Sequence, residues 1–259
     1  MKAVILAGGL GSRISEESHL KPKPMIEIGD KTILWHIMKL YQAHGVNEFI
    51  ICLGYKGYVI KEYFANYYLH HSDVTYDLAG NQLTVHKQPT DSVKVTLLDT
   101  GIETMTAGRL QRIKPYLEGE EDFFLTYGDA LSDLDIQAVY EFHRAHGRVA
   151  TVTAVQPASK FGALEADAEG LVTGFEEKPR SSGSWINGGF FVLNSAVFNY
   201  LSEDMDSVMW EQGPMPALTK DGQLVAYRHQ GFWKCMDILR DKVEFEALWE
   251  TNPKWKKWD

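Results

Sequence analysis

Two segments hold the residue types that handle polyphosphates: Ala7-Gly8-Gly9-Leu10-Gly11-Ser12-Arg13 and Lys21-Pro22-Lys23-Pro24. The apolar run Val4-Ile5-Leu6 leads straight into the glycines, so bare backbone N–H groups and a cation converge where phosphate oxygens could lie. Two commoner nucleotide motifs do not fit. Ile14 stands where the dinucleotide fingerprint needs its third glycine after Gly9 and Gly11, and no Gly-x-x-x-x-Gly-Lys-Ser/Thr occurs. A glycine-rich turn after a strand is as often steric as phosphate-binding. Arg13 and Lys23 shift that balance, because flanking Gly and Pro restrict their backbone and aim a bidentate guanidinium and a point charge at one narrow region. Solvated surface charge is the ordinary fate of such residues, but Pro22 and Pro24 are an odd frame for a freely solvated lysine.

Further along, Tyr127-Gly128-Asp129 ends the apolar run Phe123-Phe124-Leu125-Thr126. That position is the carboxyl edge of a sheet, where α/β proteins place ligands, although an Asp after Gly is more commonly a turn residue or cap. Asp237 closes the aromatic stretch Gly231-Phe232-Trp233-Lys234-Cys235-Met236 ahead of a helical segment, where it could equally be the N-cap. Glu177 and Lys178, in Phe175-Glu176-Glu177-Lys178-Pro179, and Asn187-Gly188-Gly189 make a second polar cluster. On the residues alone, a cross-strand salt bridge explains the Glu-Lys pair better than a ligand does. Capping and solvation account for Asp133 and Asp135.

The elements that must position these groups follow from hydrophobic periodicity. Val4 to Leu6 and Phe49 to Leu53 read as buried strands, and Thr32 to His44 as a helix ended by Gly45. Val59, Ile60, Tyr63, Phe64, Tyr67 and Tyr68 mark one face of a second helix. Asp73 to Val85, turning at Gly80-Asn81, reads as an inserted hairpin; Val93 to Leu98 and Phe123 to Tyr127 resume the strand series. Asp135 is placed to cap a helix reaching Ala145, with Gly147 beyond its end. Strands at Ala150 to Val155, Gly162 to Ala166, Leu171 to Glu176 and Gly189 to Leu193 suggest mixed or antiparallel additions, and a further strand at Leu224 to His229 precedes a terminal helix at Ile238 to Glu250. The fold class is therefore α/β: a Rossmann-like, mixed but mainly parallel sheet flanked by helices, with a small inserted hairpin. A single domain, residues 1–259, is expected, its nucleotide-binding half at about 1–147 and its sugar-phosphate half at about 148–259. Trp255 and Trp258 in the polar tail more often pack back on the domain than form a subunit contact.

Composition narrows the function classes. With 35 acidic against 26 basic residues the formal charge is −9, which argues against a nucleic-acid partner, since such partners need a basic face. Two cysteines make no disulfide framework, the stretch Ala3 to Ala7 is too short for a signal-peptide core, and no window approaches the roughly twenty apolar residues of a membrane span. A soluble cytoplasmic protein without membrane or nucleic-acid partners is the expectation.

Ala7 to Arg13 together with Lys21-Pro22-Lys23-Pro24-Met25 resembles the signature of the sugar-phosphate nucleotidyltransferases. Gly54-Tyr55-Lys56-Gly57, Val59 to Phe64, Asp99-Thr100-Gly101, Gly108-Arg109-Leu110 and Trp210-Glu211-Gln212 narrow the resemblance to its glucose-1-phosphate cytidylyltransferases, over Met1 to about Trp249. The resemblance implies the nucleotidyltransferase fold, CTP and glucose 1-phosphate as substrates, Mg²⁺ as cofactor, a homo-oligomer, and a product feeding dideoxysugar synthesis for surface polysaccharide. It implies Arg13, Lys23 and Asp129 as catalytic residues and Asp129 and Asp237 as the metal pair. Leu6, Ala7, Gly8, Gly9, Gly11, Ser12, Arg13, Lys23, Thr104, Arg109 and Gly128 would bind the nucleotide; Tyr127, Glu177, Lys178, Asn187 and Gly188 would bind the sugar phosphate. The sequence departs from the family pattern in three places. Ser12 replaces a commoner threonine and keeps the hydroxyl. Ala130 follows Asp129 where glycine is usual, so a positive φ there would be strained, and Lys234-Cys235 adds a charge near the proposed metal. A nucleotidyltransferase using dTTP or UTP, or another phosphorylated acceptor, is the nearest alternative. A non-catalytic sugar-nucleotide sensor and a nicotinamide-dependent oxidoreductase are the rivals from other classes.

Overall fold

The computed structural model describes residues 1–11, 14–86, 92–157, 163–176, 184–202 and 204–258. Along the chain, β1 (Lys2–Leu6) leads through the glycine run to α1 (Ser15–Ser18), a 3-10 turn at Lys23–Met25, the short antiparallel pair β2 (Glu27–Ile28) and β3 (Lys31–Thr32), and α2 (Ile33–Gln42). Next come β4 (Glu48–Leu53), α3 (Gly57–Ala65), α4 (Tyr67–His70), β5 (Val74–Asp77), β6 (Gln82–Val85), β7 (Lys94–Asp99) and α5 (Thr106–Arg112). β8 (Asp122–Tyr127), β9 (Ala130–Ser132), α6 (Ile136–His146), β10 (Ala150–Val155), β11 (Ala163–Ala166) and β12 (Val172–Glu176) follow. The chain then forms β13 (Ile186–Asn194), α7 (Pro214–Lys220), β14 (Leu224–His229), β15 (Trp233–Cys235) and α8 (Leu239–Thr251).

Seven strands form one sheet in the order β14-β10-β13-β8-β1-β4-β7. β1 pairs parallel with both β4 and β8, β4 with β7 and β10 with β14, while β13 runs antiparallel to both β8 and β10. The expected mixed, mainly parallel sheet is therefore present, with β5 and β6 as the inserted hairpin and β11 and β12 as an antiparallel pair. Two small pairings went unread in the sequence, β2 with β3 and β9 with β15, because strands of two or three residues are too short to show a period.

Burial on both faces explains why the central strand is apolar throughout. Ala3 and Ile5 pack with Ile33, Leu34 and Ile37 of α2, whereas Val4 and Leu6 pack with Leu110, Ile113 and Trp210 on the opposite face. Thr32 caps α2 by accepting from Trp35 N at 3.1 Å, and Asp135 caps α6 by accepting from Ala138 N at 3.0 Å. The single helix expected through Tyr68 breaks at Asn66, whose side-chain amide donates to Glu62 O at 2.9 Å. In the tail, Trp255 is fully buried against Phe232, Phe245 and Trp249, and its Nε1 donates to His36 Nδ1 at 3.3 Å. His36 Nε2 is 3.0 Å from Ile28 O, so the neutral ring donates there and accepts from Trp255. No helix among the described residues is long and apolar enough to cross a membrane.

Candidate active site

Register brings the chemistry-bearing residues to one edge. Leu6 is opposite Cys52 on β4 and Tyr127 on β8, so the segments after β1, β4 and β8 emerge side by side at their carboxyl ends. Leu6, Ala7 and Gly8 are buried there and Gly9 is exposed; Gly128 N donates to Leu6 O at 3.1 Å. The Gly11 carbonyl accepts from Ser18 Oγ at 3.0 Å, which ties the end of the glycine run to α1. Ser12 and Arg13 lie outside the described residues, as do Glu177 and Lys178.

Lys23 opens the 3-10 turn that follows Pro22, and its side chain is only 11 % exposed. Its Nζ donates to Asp129 Oδ2 at 2.7 Å and to Asp237 Oδ1 at 2.9 Å. These three residues, 214 positions apart at the extremes, meet because β9 pairs with β15 in the register Ala130 opposite Cys235, with Met236 N donating to Asp129 O at 2.8 Å. Burial works against the Lys23 charge, but the charge and hydrogen bond of Asp129, then those of Asp237, outweigh it and hold the ammonium above its ordinary pKa. Burial, then the charges of Asp129, Asp237 and Asp241, push the Cys235 thiol up, so it is a neutral neighbour of the carboxylates.

The N-cap alternative for Asp237 does not describe the structure. Ile238 holds the cap position of α8, and Asp241 Oδ2 accepts from the N–H groups of both Asp237 and Ile238, at 2.9 and 3.0 Å. Asp237 is thereby left to face Lys23. Lys234 donates to Asp241 Oδ1 at 3.1 Å and Glu244 Oε2 at 2.7 Å, so the added charge is taken up by α8. Ala130 lies in β9 without a positive φ, which removes the expected strain. Among the described residues no three His, Cys, Asp or Glu side chains converge as a metal-holding group. Two carboxylates gathered on one cationic nitrogen, with hard oxygen donors, nonetheless suit Mg²⁺, which takes one or two carboxylates and completes its shell with phosphate oxygens and water.

The candidate nucleotide side is buttressed by Arg109. Buried on α5, it donates to Leu53 O at 2.8 Å, Thr100 Oγ1 at 2.6 Å and Gly8 O at 3.1 Å. A side chain at Gly8 would place its Cβ 2.1 Å from Arg109 Nη1, so any other residue there would have to displace the guanidinium from its buried partners. Thr104 is buried just ahead of α5, against Gly101. The candidate sugar side is built by β13 against β8: Asn187 Nδ2 donates to the Tyr127 hydroxyl at 3.3 Å, and Trp233 Nε1 donates to Gly188 O at 2.7 Å. The structure thus gathers Leu6 to Gly9, Lys23, Thr104, Arg109, Tyr127 to Asp129, Asn187, Gly188 and Asp237 around one sheet edge. Glu211, Trp233 and Asp241 escaped the sequence reading as site residues. Glu211 and Trp233 left traces there, inside the Trp210-Glu211-Gln212 block and the aromatic stretch ahead of Asp237; Asp241 left none.

Comparison with known proteins shows the family. A family profile described as nucleotidyl transferase matches residues 2–255. The chain is 56 % identical to the glucose-1-phosphate cytidylyltransferase of Salmonella typhi over 260 residues, and 46 % identical to the probable glucose-1-phosphate cytidylyltransferase of Bacillus subtilis over 259, each covering 100 % of both chains. Among solved structures it resembles, in fold, a putative glucose-1-phosphate thymidylyltransferase from Bacillus anthracis (TM-score 0.69, 19 % identity, 96 % of this chain and 94 % of that one). It also resembles HddC from Yersinia pseudotuberculosis complexed with GMP-PN (TM-score 0.69, 24 % identity, 96 % and 99 %). The chain belongs to the nucleotidyl transferase family and, within it, to the glucose-1-phosphate cytidylyltransferases.

Proposed function

We propose that this protein transfers CMP from CTP to α-D-glucose 1-phosphate, releasing pyrophosphate and forming CDP-glucose. Full-length 56 % identity to the Salmonella typhi glucose-1-phosphate cytidylyltransferase is the observation that carries the assignment, and the Lys23–Asp129–Asp237 cluster gives it chemistry. A phosphate oxygen of the sugar phosphate attacks the α-phosphorus of CTP in line, and the bond to the pyrophosphate oxygen breaks. The nucleophile is already an anion, so no general base is needed; the task is to hold two polyanions together. Lys23, with Arg13 as the further cation of the signature, offsets phosphate charge as pyrophosphate departs. Asp129 and Asp237 would hold Mg²⁺, which when bound neutralises phosphate oxygens and orients them. Leu6, Ala7, Gly8, Gly9, Gly11, Ser12, Thr104, Arg109 and Gly128 bind the nucleotide. Gly8 to Gly11 present backbone to phosphates, and Arg109 supports the segment from beneath through Gly8 O. Tyr127, Glu177, Lys178, Asn187 and Gly188 hold the sugar phosphate. The two halves work as one catalytic unit, and the family resemblance supports a cytoplasmic homo-oligomer.

The decisive experiment crosses CTP, dTTP and UTP with several sugar 1-phosphates and follows pyrophosphate release. CTP with glucose 1-phosphate is expected to be fastest. Equal rates with all three nucleotides would overturn cytidine specificity, and no release with any pair would overturn nucleotidyl transfer.

A further inference from the structure

Glu211 lies on an exposed stretch ahead of α7, outside the core, yet both of its carboxylate oxygens are engaged by elements of the site. Oε1 accepts from the Tyr127 hydroxyl, and Oε2 accepts from Thr106 Oγ1 at 3.1 Å. Thr106 opens α5, the helix that carries Arg109, and Tyr127 stands two residues ahead of Asp129. Protons along this chain run toward Glu211. Asn187 Nδ2 donates to Tyr127 at 3.3 Å, Tyr127 donates to the carboxylate, and Thr106 donates to it while accepting from Trp210 N at 2.7 Å. Asn187 is itself oriented, because its Oδ1 accepts from Gly189 N at 2.8 Å.

Packing holds the Tyr127 ring: Phe191 meets it edge-on at 5.8 Å between centroids, and Gly189, with φ +78°, passes so close that a Cβ would lie 2.7 Å from the ring. What packing cannot set is the torsion of the hydroxyl. A phenol has one proton, and once that proton is committed to a carboxylate the oxygen can meet any further group only as an acceptor. A carboxylate suits this position better than a carboxamide, because two donors, Tyr127 and Thr106, need two accepting oxygens. An exposed glutamate also contributes little to the core, so stability does not explain this placement.

We propose that Glu211 is a positioning residue for the sugar-phosphate end of the site, fixing the Tyr127 hydroxyl as an acceptor for a sugar hydroxyl, with the Asn187 amide beside it as a donor. This rests on the assignment of Tyr127 and Asn187 to glucose 1-phosphate. Glu211 does not touch the reacting atoms; it acts through Tyr127.

Steady-state pyrophosphate release by wild type, Glu211→Ala, Glu211→Gln, Tyr127→Phe and the Glu211→Ala/Tyr127→Phe pair tests the inference. Glu211→Ala and Tyr127→Phe should each raise the KM for glucose 1-phosphate about tenfold or more, with the KM for CTP within about twofold. Glu211→Gln should fall between wild type and Glu211→Ala. The pair should be no worse than Tyr127→Phe alone, since one residue works through the other. An unchanged KM for glucose 1-phosphate, an equal rise in the KM for CTP, or effects that multiply in the pair would each overturn it. Should Glu211→Ala lose its native circular dichroism, Glu211→Gln alone decides by the same KM comparison. A wild-type protein that releases no pyrophosphate defeats the functional assignment and this inference with it; an active wild type with unshifted variants defeats this inference alone.

Discussion

Replacing Lys23 by methionine keeps most of the side-chain volume and removes the charge on which Asp129 and Asp237 converge. Each contact, at 2.7 and 2.9 Å, is worth about 6 kcal/mol of Coulomb attraction at an effective dielectric near 20, before desolvation offsets most of it. Removing one member of a fully buried ionic group costs roughly 3 to 5 kcal/mol. Here the carboxylates remain 28 % and 21 % exposed and can recover part of their hydration, so a loss of about 2 to 3 kcal/mol is expected. For a chain of this size that lowers Tm by roughly 5 to 10 °C. Turnover should fall about 10²- to 10³-fold or more, the scale for losing one charge-stabilising donor from an active site. The freed carboxylate pair should also bind divalent cations more tightly, so millimolar Mg²⁺ should raise the Tm of Lys23→Met more than that of wild type. Scanning calorimetry with and without Mg²⁺, Mn²⁺ binding followed by electron paramagnetic resonance, and pyrophosphate release together measure all three effects. Near-normal turnover would refute the catalytic role of Lys23, and an unchanged Tm would refute the electrostatic reasoning. The pH dependence has a definite sign. The Lys23 pKa is raised above the ordinary 10.5, so its stabilisation is complete below that value and is lost only as pH rises through the higher folded value. A basic limb from Lys23 should therefore be absent near neutrality.

Arg109→Ala should lose about 3 kcal/mol or more, because the Leu53 and Gly8 carbonyls and the Thr100 hydroxyl lose a buried partner, and CTP affinity should drop with it; calorimetry and nucleotide titration check both. Burial pulls the His36 pKa down to about 4, so the native ring is neutral while the unfolded one titrates near 6.5. Stability should then be full above pH 6.5 and fall by about 3 kcal/mol as pH drops toward 4, and His36→Gln should flatten that part of the Tm profile. Ala130→Gly, which restores the usual family residue, should cost about 0.5 to 1 kcal/mol by urea unfolding without raising turnover, since Ala130 already fits an ordinary strand conformation.

The elements that were legible in the sequence are those whose pattern is carried by neighbouring residues. The apolar run of β1, the helical period of α2 with Thr32 at its cap, and the hairpin turning at Gly80-Asn81 each declare themselves within a dozen residues or so. The candidate cations and carboxylates were visible through residue type and framing: Lys23 between two prolines, Asp129 at the end of an apolar strand, Asp237 ahead of a helix. Their meeting was not visible, because it depends on the three-residue pairing of β9 with β15, which shows no period and joins positions more than a hundred apart. Asp237 kept two readings until the backbone showed Asp241 receiving the N–H groups at the start of α8. Lys234 looked like an added charge beside the carboxylates until α8 supplied Asp241 and Glu244 to receive it. Arg109 was expected among the nucleotide-binding residues, and the structure shows its guanidinium committed to buried carbonyls beneath the glycine run. Sequence by itself determined which groups could do chemistry and on which strands and helices they sit, because those are local properties of side chain and backbone. Tertiary structure alone decided which groups face one another and which neighbours hold them, because charges and hydrogen bonds act over a few ångströms in space, whatever the distance along the chain.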